Sequence, residues 1–194
     1  KGGGANAWPQ DKINAVIVAE AKKGHRGVRL KAGDPGIFGR AGEEAAFAEA
    51  AGFAVEIVPG VTAACAAAAS MTTSLTERGV ADTVIFATAQ SRDGAPLPEA
   101  ARHAGPGTTL ALYMGVAQAG RVAADLIGQG LPGDSVVRVA AQVSKPDEQH
   151  LTCALRDLEP HLAQADITGC ATILITWPER VAARATPPSL ALTA

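Results

Sequence analysis

Residues 28–44 read VRLKAGDPGIFGRAGEE, and the fold turns on how this stretch is read. Val28, Arg29, Leu30 and Lys31 alternate apolar and basic side chains, the period of a β-strand with two unlike faces. The alternation breaks at Gly33-Asp34-Pro35-Gly36 and gives way from Arg40 to a run rich in alanine and glutamate, which suits a helix. Strand, glycine-bearing turn and helix in this order predict a ligand cleft at the strand's C-terminal end. Gly33 has no Cβ and lets backbone approach a bound molecule closely, while Asp34 offers a carboxylate that accepts from hydroxyl or ammonium donors. Arg40 and Glu43 stand three apart and share a face of the helix's first turn, either as a solvated pair or as part of a site.

The same pattern recurs along the chain. Residues 53–58 (FAVEIV) predict a buried strand, Pro59-Gly60 its turn, and residues 61–70 an alanine-rich helix. Further strands are expected at 83–89, 108–114, 136–143 and 172–177, and helices at 11–21, 41–51, 99–103, 117–129 and 155–164. Asp11 is the expected N-cap of the first helix. Alternating strands and helices predict an α/β architecture with largely parallel strands. The small-residue loops at 32–37, 59–63, 113–115 and 141–145 each fall at a strand end. Neither GxGxxG nor GxxxxGK[ST] occurs, which disfavours a standard dinucleotide fold and a P-loop.

The chain has 194 residues, enough for one large domain or two small ones. A formal charge of -2 gives no basic face for nucleic acid. No apolar run reaches membrane-spanning length, and no signal segment opens the sequence. Cys65, Cys153 and Cys170 lack metal-ligand spacing and read as reduced, buried thiols of a cytoplasmic protein. The histidines do not pair at ligand spacing, so no metal is expected.

The opening stretch resembles the signature of the uroporphyrinogen-III C-methyltransferases of the tetrapyrrole methylase family, RLKGGDPFxFGRGGEE. The likeness continues to about Trp177. Residues 1–18 resemble the family's GKRxGxxSxPQEEINxLL element, residues 74–81 its PLTHRxxA, and Tyr113-Met114-Gly115 its YMG. Departures fall at Gly2, Ala32, Ala41, Glu77 and Val143. The resemblance implies two α/β lobes, residues 1–78 and 79–180, with the cofactor cleft between them and a tail at 181–194. It implies S-adenosyl-L-methionine as methyl donor, contacted at Ala32, Gly33, Asp34, Ile37, Thr62, Ala63, Met114 and Val143. Thr62 also suits helix capping, and a methionine at 114 otherwise reads as core filler.

Lys1 matches the family's proton donor, though a terminal lysine is also an ordinary solvated one. The implied substrate is uroporphyrinogen III, methylated at C2 and C7 to precorrin-2 on the way to sirohaem and cobalamin. Its eight carboxylates call for fixed cations, and Arg40 and Arg78 suit that role because a planar guanidinium pairs bidentately with carboxylate. Glu43 orients Arg40 or assists proton removal, the former being favoured beside arginine. The alternatives are a methyltransferase acting on a later corrin precursor and a non-catalytic tetrapyrrole- or cofactor-binding derivative. The family's first strand and its GAGPGDP loop, on the order of seventy residues, have no counterpart in this sequence. The chain is therefore expected to be an inactive, unstable piece of a parent that is a homodimer, cytoplasmic and membrane-free.

Overall fold

The computed structural model describes residues 8–89 and 103–179. Its contacts divide the chain into two compact units, one running to Ala63 and the other beginning at Ala64.

Among the described residues, the regular elements of the first unit are helices. Helix α1 spans Gln10–Lys22 behind Pro9, whose fixed φ of -54° suits the entry to a first turn, so Asp11 lies inside the helix and is not its cap. Helix α2 spans Ala41–Ala50 and ends at Gly52, which takes the left-handed φ of 87° that glycine adopts freely. The face of α2 turned inward carries Ala41, Ala48 and the charged Glu44.

The strands expected at 28–31 and 53–58 do not form. Alternation marks a segment that could pair, but a strand exists only as part of a hydrogen-bonded ladder, and no described segment of this unit supplies one. Val28 and Leu30 are about four-fifths exposed, and Ile57, Val58 and Val61 also stand in solvent. Exposed aliphatic side chains in this number favour association. The 194-residue chain expressed by itself should therefore self-associate at micromolar concentration, and light scattering showing a stable monomer would contradict this.

Helix α3, Ala63–Ser70, leads into the second unit, which holds a five-stranded sheet. Its strands are β1 Thr83–Thr88, β2 Thr108–Tyr113, β3 Val136–Ala141, β4 Gln149–Ala154 and β5 Ala171–Trp177, in the order β1-β2-β5-β3-β4. Helices α4, Ala119–Gly128, and α5, Leu158–Gln164, each follow a short 3-10 turn. Leu110, Leu112, Val137, Val139, Ile173 and Ile175 form one face of the sheet and bury against Val122, Leu126, Leu158 and Leu162 of these helices. The second unit's core is this aliphatic layer.

Only β1 and β2 are parallel; β2–β5, β5–β3 and β3–β4 are antiparallel. The expectation of a largely parallel sheet is thus corrected, and the connections explain it. Residues 142–148 are too short for a crossover, which needs a dozen residues or more, so β3 and β4 form a hairpin. Strand β4 (QHLTCA) went unread because it is a half-exposed edge strand with little apolar alternation. Cys65 and Cys170 are exposed and Cys153 half-buried, so the thiols are free but not buried. The expected helix at 99–103 and the tail at 181–194 lie outside the described residues, apart from His103.

Candidate functional site

In the first unit the loops at 32–37 and 59–63 meet. Asp34 joins them: its Oδ1 accepts the N–H of Gly36 at 2.8 Å, and its Oδ2 accepts the N–H of Gly60 at 3.0 Å. Both carboxylate oxygens thus already serve the backbone, and the side chain shapes the loop pair. The glycines are dictated by distance. A Cβ on Gly60 would stand 2.5 Å from the carbonyl oxygen of Gly33, inside contact distance. Gly33 itself has φ 73°, and its Cα side faces the Ala63 amide nitrogen and the Val61 carbonyl. Ile37 closes a turn onto the Asp34 carbonyl at 3.3 Å, Ala32 is exposed, and Thr62 is buried immediately ahead of α3. The six expected cofactor residues of this unit therefore lie on one joined pair of loops. The two loops meet backbone to backbone at Gly33 and Gly60, an approach that only residues without a Cβ allow.

Arg40 precedes α2 in a left-handed conformation, φ 58°. Its Nε and Nη2 donate to Glu43 Oε1 and Oε2 at 2.9 and 2.5 Å. The fork is bidentate, both side chains are half-exposed, and the bond to Glu43 holds the guanidinium above its ordinary pKa. Glu43 thus pairs with Arg40 through both carboxylate oxygens.

The neighbouring Glu44 was not singled out by the sequence, and it is the buried member of the pair. It is 6% exposed, 2.8 Å from Lys31 Nζ and 3.6 Å from Arg29 Nη2, and accepts from Gln10 Nε2 at 2.9 Å. Burial pushes its carboxyl upward, but the bonds from Lys31 and Gln10 and the charges of Lys31 and Arg29 outweigh it and leave the group below its usual range. Lys31 also donates to the Gly39 carbonyl, so this network fixes the arm of the loop that carries Asp34.

In the second unit Met114 and Val143 follow the C-terminal ends of β2 and β3. Met114 is 48% exposed with φ 53°, so it is not core filler. Val143 is half-buried between Gln142 and Ser144, both with positive φ. Non-glycine residues held in this region carry strain that the surrounding structure must sustain, and such positions concentrate at functional sites. Arg78 is exposed in a tight turn closed by reciprocal bonds between Glu77 and Ala81. Lys1 and Gly2 lie outside the described residues. A separate cleft of about 250 Å3 opens at the opposite end of the strands, among Thr109, Thr176, Ser135, Arg138 and Glu77, away from Met114 and Val143. Among the described residues no group of three potential ligands could hold a metal, and no helix is long and apolar enough to cross a membrane.

Residues 3–159 match the family described as Tetrapyrrole (Corrin/Porphyrin) Methylases. A uroporphyrinogen-III C-methyltransferase of Paracoccus denitrificans is 42% identical over 165 residues, 84% of this chain and 58% of that protein. A sirohaem synthase of Gluconacetobacter diazotrophicus is 40% identical over 192 residues, 97% of this chain and 40% of that protein. The chain thus spans about half, or less, of the length of these relatives. Among solved structures, a cobalt precorrin-4 methyltransferase superposes with a TM-score of 0.78 at 28% identity, covering 89% of this chain and 73% of that one. A uroporphyrin-III C-methyltransferase of Thermus thermophilus, complexed with S-adenosylhomocysteine, gives 0.72 at 28% identity, covering 86% and 72%.

Proposed function

Since the chain belongs to the tetrapyrrole (corrin/porphyrin) methylases, a family dependent on S-adenosyl-L-methionine, we propose that its parent protein methylates uroporphyrinogen III at C2 and C7, giving precorrin-2 for sirohaem or cobalamin synthesis. The observation that carries the reading is the Asp34 clamp, which joins the two glycine-bearing loops. Ala32, Gly33, Asp34, Ile37, Thr62 and Ala63 on those loops, with Met114 and Val143 in the second unit, are proposed as donor contacts. The bound donor supplies an already electrophilic methyl group, so the chain's own residues need only orient the partners and exclude water.

Arg40 and Arg78 are proposed as anchors for the substrate's carboxylates. With Nε and Nη2 held by Glu43, Arg40 keeps Nη1 and its remaining edge for a carboxylate. The Arg40→Ala variant of the full-length protein should raise KM for the tetrapyrrole at least tenfold and leave KM for the donor unchanged. Lysine should rescue poorly, because it cannot reproduce the fork. Unaltered tetrapyrrole kinetics in Arg40→Ala would remove this side chain from the site. Asp34→Asn should weaken donor binding, since its amide group would face a backbone N–H. Lys1 is retained as a proposed proton donor, and homodimer formation and a cytoplasmic location as proposed properties of the parent.

A second reading is favoured by one observation: the cobalt precorrin-4 methyltransferase superposes with the higher TM-score of the two structures compared. Incubating the full-length protein with labelled donor and a panel of tetrapyrroles separates the two. Label in uroporphyrinogen supports the first reading, label only in a later corrin precursor supports the second, and donor binding without transfer marks a non-catalytic derivative.

A further inference from the structure

Ser70, Glu148 and His150 form a polar cluster in the second unit. The Ser70 hydroxyl donates to Glu148 Oε1 and lies 2.6 Å from His150 Nε2, which is itself 2.9 Å from Glu148 Oε1. Glu148 Oε2 accepts the N–H of Ser144 at 2.6 Å. The bonds to Ser70, to Ser144 and to His150 hold the carboxyl below its usual range. Serine and carboxylate both address the same imidazole nitrogen. A charge-relay arrangement would need the carboxylate on the other ring nitrogen, so the cluster is not a hydrolytic triad.

Its place in the second unit suggests a different role. Ser70 is the last residue of α3, and Ser144 directly follows Val143. At the other end of the same helix, the Ala64 N–H donates to the buried Tyr113 hydroxyl at 3.0 Å, and Tyr113 directly precedes Met114. Helix α3 is therefore pinned at one end beside Met114 and at the other beside Val143. The lengths agree: six helical rises cover roughly 9 Å, and β2 and β3, separated by β5, stand two strand spacings or roughly 9.5 Å apart. Around Val143, Gln142 N–H bonds the Cys170 carbonyl at 3.0 Å and Lys145 N–H bonds the Gln142 carbonyl at 3.0 Å. The Glu148 bond to Ser144 adds the tie that connects this strained turn to the helix.

We propose that Glu148, with Ser70 and His150, is a positioning element: α3 acts as a strut that fixes the spacing of Met114 and Val143, and so the affinity for the methyl donor. This rests on the reading of Met114 and Val143 as donor contacts. The three residues themselves touch no ligand in this scheme.

The test uses the full-length protein with S-adenosylhomocysteine as the calorimetric probe, together with steady-state KM values for donor and tetrapyrrole. Glu148→Ala should weaken probe binding about tenfold and raise donor KM by a similar factor, leaving tetrapyrrole KM unchanged. Glu148→Gln, whose amide oxygen can still accept from Ser144, should recover most of that loss. Tyr113→Phe, at the far end of the strut, should show the same selective rise in donor KM. A purely structural role would instead lower thermal stability and reduce active protein without separating the two KM values. Probe affinity equal to wild type in both Glu148→Ala and Tyr113→Phe would overturn the strut. A wild-type protein that binds no probe would overturn the donor-site reading itself.

Discussion

Glu44→Ala should destabilise the full-length protein by about 3–5 kcal/mol, the cost of breaking a buried ion pair by removing one partner. The carboxylate is nearly sealed from solvent and answers Lys31, Arg29 and Gln10 together. Once it is gone, the Lys31 ammonium, with 11% of its side chain exposed, keeps only the Gly39 carbonyl. Truncating both partners, Glu44→Leu with Lys31→Met, should recover much of the loss, because an apolar pair leaves no buried charge. Glu44→Gln should fall between, retaining an acceptor but not the charge.

The pH dependence has a definite sign. The folded-state carboxyl lies below its ordinary value of 4.5, so its stabilising contribution is fully present above that value and is lost as pH falls through the lower folded one. Denaturation curves of wild type and Glu44→Gln should therefore differ at neutral pH and converge in acid. A gap that persisted to pH 2 would place the stabilisation elsewhere.

This pair also shows where sequence reading stops. The spacing of Arg40 and Glu43 exposed their pairing, since three residues apart on a first turn is a local fact. Glu44, one residue on, is indistinguishable by composition, and its burial depends on Lys31 and Gln10, thirteen and thirty-four residues away. The sheet's inner strands were legible because TTLALY and TILITW are apolar nearly throughout, as segments covered on both sides must be. Their direction was not, because it depends on connection length and on which neighbour β5 joins. The alternation at 28–31 is equally strand-like, yet those residues find no ladder among the described residues, and Val28 and Leu30 remain in solvent. Asp34 was legible as the polar residue of its turn. Its work as a clamp was not, because the Gly60 amide that it holds lies 26 residues on.

Gly60→Ala should reduce affinity for S-adenosylhomocysteine in the full-length protein by about a hundredfold, the scale that a 1 Å misplacement in a site can reach. The added methyl would meet the Gly33 carbonyl oxygen at 2.5 Å, its carbon at 3.2 Å and the Asp34 Cα at 3.5 Å. All three are backbone atoms of the facing loop, so no side-chain rotation relieves the contact, and the loops must part. Parting them stretches the Gly60 N–H bond to Asp34 Oδ2, now 3.0 Å, and frees the carboxylate that holds the turn. Overpacking of this kind costs about 1–3 kcal/mol, small enough for the variant to fold and be assayed. Gly42→Ala is the matched control. Gly42 lies within α2 with open space where a Cβ would go, so alanine there should raise stability by about 0.5–1 kcal/mol and leave probe binding intact. If Gly60→Ala bound the probe as wild type does, the loop pair would not be where the donor sits, and Asp34 would be a structural clamp alone.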